Sequence, residues 1–184
     1  MCFRSEWMFA VSLSVLALAA SPALSQASDE EIIKNATSAA PPAVAKDAAV
    51  VAMDDKMQMR TVREGSNNFT CMPDNPMSPG NDPMCLDKGG MDWAHAWMTK
   101  QQPPAGLVGF GYMLMGGSDA SNTDPHAQKP ASGASWVDTG PHVMLFNVGQ
   151  AGETYPRQGE NPDTKVPYVM WPGTPYEHLM IPVE

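Results

Sequence analysis

Three cysteines, and where they fall, constrain this chain more than any other feature. Cys2 sits in a segment that reads as a secretory signal. Arg4 gives a weak positive start, Trp7 to Ala20 is apolar apart from two serines, and Pro22, Ala23 and Ser25 form a small-residue cleavage region. The apolar run falls short of the roughly 20 residues a membrane-spanning helix needs. Residues 1–25 are therefore expected to be cleaved on export, and Cys2 goes with them. Cys71 and Cys85 remain, and a lone pair of cysteines in an exported chain predicts a disulfide. It would close a loop of about 15 residues, an entropic restriction of the unfolded chain of roughly 3 kcal/mol. The enclosed run MPDNPMSPGNDPM carries four prolines and no regular period, so the staple has much to order. The competing reading, two thiolates on a metal, matches no zinc spacing.

The predicted location is periplasmic or secreted. The longest later apolar run, Leu107 to Met115, is broken by glycines and is too short to span a bilayer. No membrane association is expected once the signal is gone. The net charge of −9 argues against a nucleic-acid partner, which calls for a basic footprint. Hydrophobic residues make up 43%, enough for a packed core.

Prolines and glycines cut the remaining chain into short elements. Ser28 followed by Glu31 has the capping-box pattern, with Asp29, Glu30 and Glu31 suited to a positive helix end, and Pro41-Pro42 stops that helix. Ala43 to Met53 fits helix or strand equally. Residues 26–56 are thus expected to form an N-terminal helical segment or linker, ahead of a disulfide-stapled domain over 57–184. In that domain Met57 to Arg63 and Phe69 to Cys71 read as strands around a Gly/Asn turn. Met91 to Gln101 reads as a helix with Asp92 as its cap, ended by Pro103-Pro104. Leu107 to Met115 is the clearest strand. Val108, Phe110, Tyr112 and Leu114 alternate with Gly109, Gly111, Met113 and Met115, and the glycine face invites a close-packed helix or a ligand. Three further strands are predicted at His142 to Asn147, Val166 to Trp171 and His178 to Val183. Successive strands joined by turns favour antiparallel pairing. The expected fold is therefore α+β, a single domain with an antiparallel β-sheet and short helices.

Methionine is abundant, with 15 in the chain and thirteen beyond residue 25. Thioether sulfur is a soft ligand that selects Cu(I), and imidazole suits copper as well. The sharpest arrangement is a pair of His-x-Met motifs, His142/Met144 and His178/Met180. Residues i and i+2 of a strand share a face, so each motif presents an imidazole beside a thioether. On neighbouring strands the four would make a candidate copper site. The competing role for methionine is gap-filling in a core. Met57/Met59 is a further i, i+2 pair. His95 and Met98 share a helix face, where Trp93 and Trp97 point to core packing.

The polar stretch Gly116 to Ser135 holds Asp119, Asn122, Asp124 and His126, a candidate ligand-binding loop rich in oxygen. Its spacing is not that of a calcium-binding EF-hand, and Asx or Ser/Thr turns explain the same composition. A hydrolase-like reading puts His142 or His178 as general base, oriented by Asp119 or Asp124, with Ser118 or Ser121 as nucleophile. The chain has no G-x-S-x-G elbow, no H-E-x-x-H and no phosphate-binding glycine loop. Trp136, Tyr155, Tyr168, Trp171 and Tyr176 near the polar loops suit either a stacked ligand or the ends of a core. The expected function is an exported binding protein, with copper as the candidate metal. An enzyme and an interaction protein without a small ligand are the alternatives.

The runs NDPMCLD (81–87), GFGYMLMGGSDASNTDP (109–125), GPHVM (140–144) and PYEHLMIPV (175–183) resemble a family of small exported bacterial proteins of no known activity. The resemblance covers the chain from Arg63 onward. It implies bacterial export and assigns no cofactor or catalytic residue.

Overall fold

The computed structural model describes residues 27–54 and 58–183. The segment expected to be the signal lies outside them, as does Met57. The first helix, α1 (Asp29–Thr37), begins at the expected capping box. The Ser28 hydroxyl accepts from the Glu31 N–H at 3.3 Å, and the Glu31 carboxylate accepts from the Ser28 N–H at 2.8 Å. These bonds satisfy two of the orphan donors at the helix start. The stretch left open between helix and strand is both. Pro42 opens a single turn, α2 (Pro42–Ala45), and the chain then extends into β1 (Ala49–Met53).

The next strands are β2 (Met59–Arg63), β3 (Phe69–Met72) and β4 (Met84–Asp87), followed by α3 (Lys88–Met98). Beyond α3 come β5 (Gly109–Met113), β6 (Gly117–Asp119), β7 (Val137–Thr139) and β8 (His142–Phe146). A 3-10 turn (Gly149–Thr154) leads to β9 (Tyr168–Met170) and β10 (His178–Pro182). Eight strands form one sheet in the order β2-β1-β3-β4-β5-β8-β10-β9, and β6 pairs with β7 in a small second sheet. Among the described strands β1 and β3 are parallel and the other pairs antiparallel. The expected single domain with a mainly antiparallel sheet and short helices is what the chain forms, with the sheet dominant. The N-terminal segment is part of it. β1 lies between β2 and β3 in the sheet.

Two cores lie on the two sides of the sheet. Adjacent strand residues point to opposite faces, and β4 divides its pair accordingly. Cys85 joins Cys71, Val50 and the alanines Ala36, Ala39, Ala45 and Ala48 under α1 and α2. Leu86 joins Trp93, Met113, Met144, Phe146, Tyr168, Met170 and Met180 on the α3 side. Cys71 and Cys85 are directly opposed across β3 and β4, form the expected disulfide, and are fully buried.

The glycine face of β5 receives α3. A Cβ on Gly109 would lie 2.4 Å from the Gly90 N, and one on Gly111 would lie 2.7 Å from a Leu86 methyl. The helix starts three residues earlier than the sequence suggests. Its cap is Asp87, whose carboxylate accepts from Gly90 N–H at 2.8 Å and also from Phe110 N–H at 2.9 Å. Asp92 instead pairs with Lys88 one turn back at 2.7 Å. No helix among the described residues is long and apolar enough to cross a membrane.

Candidate soft-metal site on a buried sheet face

Strand register decides which soft donors meet. β8 and β10 are neighbours, and Met144 lies directly opposite Met180. His142 stands opposite Pro182 and His178 opposite Phe146, so four residues of strand separate the imidazoles. That stagger puts their Cα atoms about 14 Å apart. The two His-x-Met motifs therefore share a face without converging on a single point. They form a diagonal in the order His178, Met180, Met144, His142.

Neighbouring strands extend the diagonal at both ends. Met113 of β5 is directly opposite His142, and Met170 of β9 is directly opposite His178. All six side chains are buried, none more than 7% exposed. Met113 and His142 line the same small space under β6: a Cβ on Gly117 would lie 3.6 Å from Met113 Sδ and 3.5 Å from His142 Cε1. Met113 and Met170 were not singled out in the sequence. Each alternates correctly on its strand, but only the strand order tells which motif each one joins.

The two imidazoles are held alike. His142 Nδ1 is 2.7 Å from the Gly140 carbonyl, and His178 Nδ1 is 3.0 Å from the Tyr176 carbonyl. A carbonyl only accepts, so each Nδ1 carries the proton and each Nε2 presents a lone pair, as in a neutral metal-ligating histidine. Burial favours that neutral form. It pulls His178 down to about 4, against the bond to Tyr176 and with help from His142, and it lowers His142 against the bond to Gly140. Among the described residues, His142 Nε2, Trp93 Nε1, Asn122 Oδ1 and Asp82 Oδ1 are buried without a hydrogen-bond partner. Of these four atoms only the imidazole nitrogen is a good donor to a soft metal.

Surroundings differ at the two ends. His178 is enclosed by aromatic rings: Trp93 and Trp171 at 5.0 Å edge-on, and Phe146 at 5.4 Å. Trp171 adopts φ 53°, an uncommon conformation for a bulky residue. Its main-chain N–H donates to Asn122 O at 2.8 Å and its indole N–H to Ser121 O at 2.9 Å, so the long polar loop fixes the ring over His178. His178 also lines a groove of about 330 Å³ at the strand ends, with Pro104, Ala105, Asn147, Gly149 and Thr174 among its other walls. The His142 end is covered by the β6–β7 hairpin, where Thr139 and Tyr168 hydroxyls lie 2.9 Å apart.

The oxygen-rich residues are dispersed. Asp119 is in β6, and burial, with Asp82 nearby, raises its carboxyl to about 7. Asn122 is fully buried and donates to the Gln158 and Gly159 carbonyls at 2.9 Å, tying the two long loops together. Asp124 accepts from His126 N–H at 2.9 Å in an Asx turn, and the exposed His126 ring meets Tyr176 edge-on at 5.4 Å. The Ser121 hydroxyl is engaged with Glu160, and both histidine Nδ1 atoms go to main-chain carbonyls, where a base-orienting carboxylate would be needed for a hydrolase. Tyr168, Trp171 and Tyr176 are core residues, Tyr155 is exposed, and Trp136 borders a shallow hollow of about 440 Å³ with Pro79, Ser118 and Asp138. Among the described residues no group of three or more His, Cys, Asp or Glu side chains is placed to hold a metal ion, so any metal on the sheet face would depend on thioether sulfur. No protein-family model, curated protein or solved structure matches the chain.

Proposed function

We propose that this is an exported protein that binds Cu(I) on the buried face of its sheet, with His142, Met113 and Met144 as donors and Met180 beside them. The observation that carries the reading is the buried, unpartnered Nε2 of His142 beside a thioether. A buried acceptor left unmade costs stability, on the order of 1–3 kcal/mol. A soft ion would satisfy it. Cu(I) prefers sulfur and neutral nitrogen and accepts low coordination numbers, whereas calcium or magnesium would demand an oxygen shell. A monovalent ion also suits a site with neutral donors. The Cys71–Cys85 disulfide is compatible with an oxidising compartment, where a thiol-based copper site would be vulnerable and a thioether site would not form disulfides.

Anaerobic titration of the mature protein with Cu(I) against a competing chelator tests the reading. The expected result is stoichiometric removal of Cu(I) from the chelator, with both sulfur and nitrogen neighbours in the X-ray absorption spectrum. Binding should be lost in His142→Ala/His178→Ala. It should fall in Met113→Leu/Met144→Leu, whose side chains conserve volume and so spare the fold. A wild-type protein that never competes for Cu(I) overturns the proposal.

A further inference from the structure

We infer that the two ends of the His/Met diagonal have different tasks: His178 receives the Cu(I) ion from solvent through the groove at the strand ends, and His142 holds it. This rests on the copper reading above. It starts from an asymmetry of access. His178 and His142 have similar main-chain anchors, yet His178 is the one that lines the groove of about 330 Å³, while His142 lies under the β6–β7 hairpin beside Gly117.

The side chains between them are spaced for hand-over. From His178 to Met180 is one i, i+2 step along β10, about 7 Å. Met180 to Met144 is a directly opposed cross-strand pair, about 5 Å between Cβ atoms. Met144 to His142 is another i, i+2 step, along β8. Thioether side chains are long and flexible, so each step is within the swing of one methionine. Met170 stands opposite His178 as a second donor at the entrance, and Met113 stands opposite His142 as a second donor at the end. Each hand-over breaks one Cu–N or Cu–S bond and forms another. The ion stays monovalent and no proton moves, so no oxidant, reductant or base is required.

Enclosure by Trp93, Trp171 and Phe146 gives the entrance a second property. His178 is only 3% exposed among these rings, and the backbone of Trp171 adopts an uncommon conformation with its ring there. Local strain of this kind persists only where the surroundings over-determine it, and it clusters at ligand clamps and switch regions. The same rings report on the event, because a metal arriving at His178 perturbs indole fluorescence.

Stopped-flow fluorescence after mixing the mature protein with a weak Cu(I)–chelator complex, under anaerobic conditions, separates the two roles. In His178→Phe, which keeps an aromatic ring in the enclosure, uptake is expected to slow at least tenfold with the equilibrium affinity within threefold of wild type. His142→Phe is expected to keep the fast fluorescence phase and lose at least a hundredfold in affinity. Ala105→Trp narrows the groove from an exposed position on its wall, away from His142, and it is expected to slow uptake without changing affinity. Should His178→Phe fail to fold, the Ala105→Trp rate decides. Uptake at the wild-type rate in both His178→Phe and Ala105→Trp overturns the entrance role while leaving copper binding intact. Absence of Cu(I) binding in the wild type overturns the functional reading itself.

Discussion

His178 shows how one buried side chain makes a whole chain sensitive to acid. In the unfolded state its imidazole titrates near 6.5; in the fold, burial among Trp93, Trp171 and Phe146 pulls it down to about 4. Between these values the unfolded chain binds the proton and the folded chain does not. Stability is therefore fully present above pH 6.5 and is lost as the pH falls toward 4. The interval corresponds to about 3 kcal/mol. Asp119 acts in the opposite sense. Its carboxyl, raised to about 7, keeps its proton in the fold, so its contribution weakens as the pH rises from the ordinary carboxylate range to 7. The two slopes partly cancel in wild-type curves, and a comparison with His178→Gln isolates the histidine. In urea unfolding, the stability advantage of wild type over the variant is expected to shrink by about 3 kcal/mol between pH 7 and pH 4. An advantage that stays constant over this range would mean that His178 takes up a proton in the folded state without penalty.

At the scale of elements, α3 packs against β5 with almost no space between them. Gly109 and Gly89–Gly90 bring two main chains together where a single methyl group has no room. The nearest atoms to a Gly109 Cβ are Gly90 N at 2.4 Å and Gly89 C at 2.6 Å, both backbone, so the helix itself would have to move. Gly109→Ala is expected to destabilise by about 3 kcal/mol in urea unfolding. Gly140→Ala, where nothing lies within 4 Å, is expected to stay within about 0.5 kcal/mol of wild type. A loss in Gly109→Ala no larger than that in Gly140→Ala would show that the helix gives way to the added methyl without cost. This contact was legible in the sequence as a glycine face, and so were the Ser28–Glu31 cap and the strands at His142, Tyr168 and His178, because each depends on neighbours in the chain. β4 was hidden because its residues end a proline-rich run, and β6 because Gly117-Ser118-Asp119 has the composition of a turn. The insertion of β1 between β2 and β3 leaves no local trace, since pairing of distant segments is set by the whole core. The candidate site was half legible for the same reason. Alternation gave the face of His142, Met144, His178 and Met180, while the stagger of the histidines and the company of Met113 and Met170 follow from register.

For the whole molecule, the disulfide sits where local and distant contacts meet. Cys71 and Cys85 are opposed across β3 and β4, and this pair joins the first hairpin, β1–β2, to the strands that carry the His/Met face. The core around the disulfide is built largely from alanines, whose small side chains bury little apolar surface each. The α3 side is filled by Trp93, Phe146, Tyr168, Trp171 and four methionines. Removing the cross-link therefore acts on the weaker half. Cys71→Ala/Cys85→Ala is expected to lose about 3 kcal/mol in urea unfolding, the restriction that a loop of about 15 residues imposes on the unfolded chain. The loss should be uneven. Hydrogen exchange is expected to speed first in α1, β1, β2 and β3, while β5, β8 and β10 keep their protection, because foldons open according to their own contacts. Uniform acceleration across all eight strands would instead identify the sheet as one cooperative unit. With the uneven pattern, the oxidised pair maintains the side of the molecule away from the imidazoles and thioethers, so Cys71→Ala/Cys85→Ala should keep the His/Met face packed after its first hairpin has begun to open.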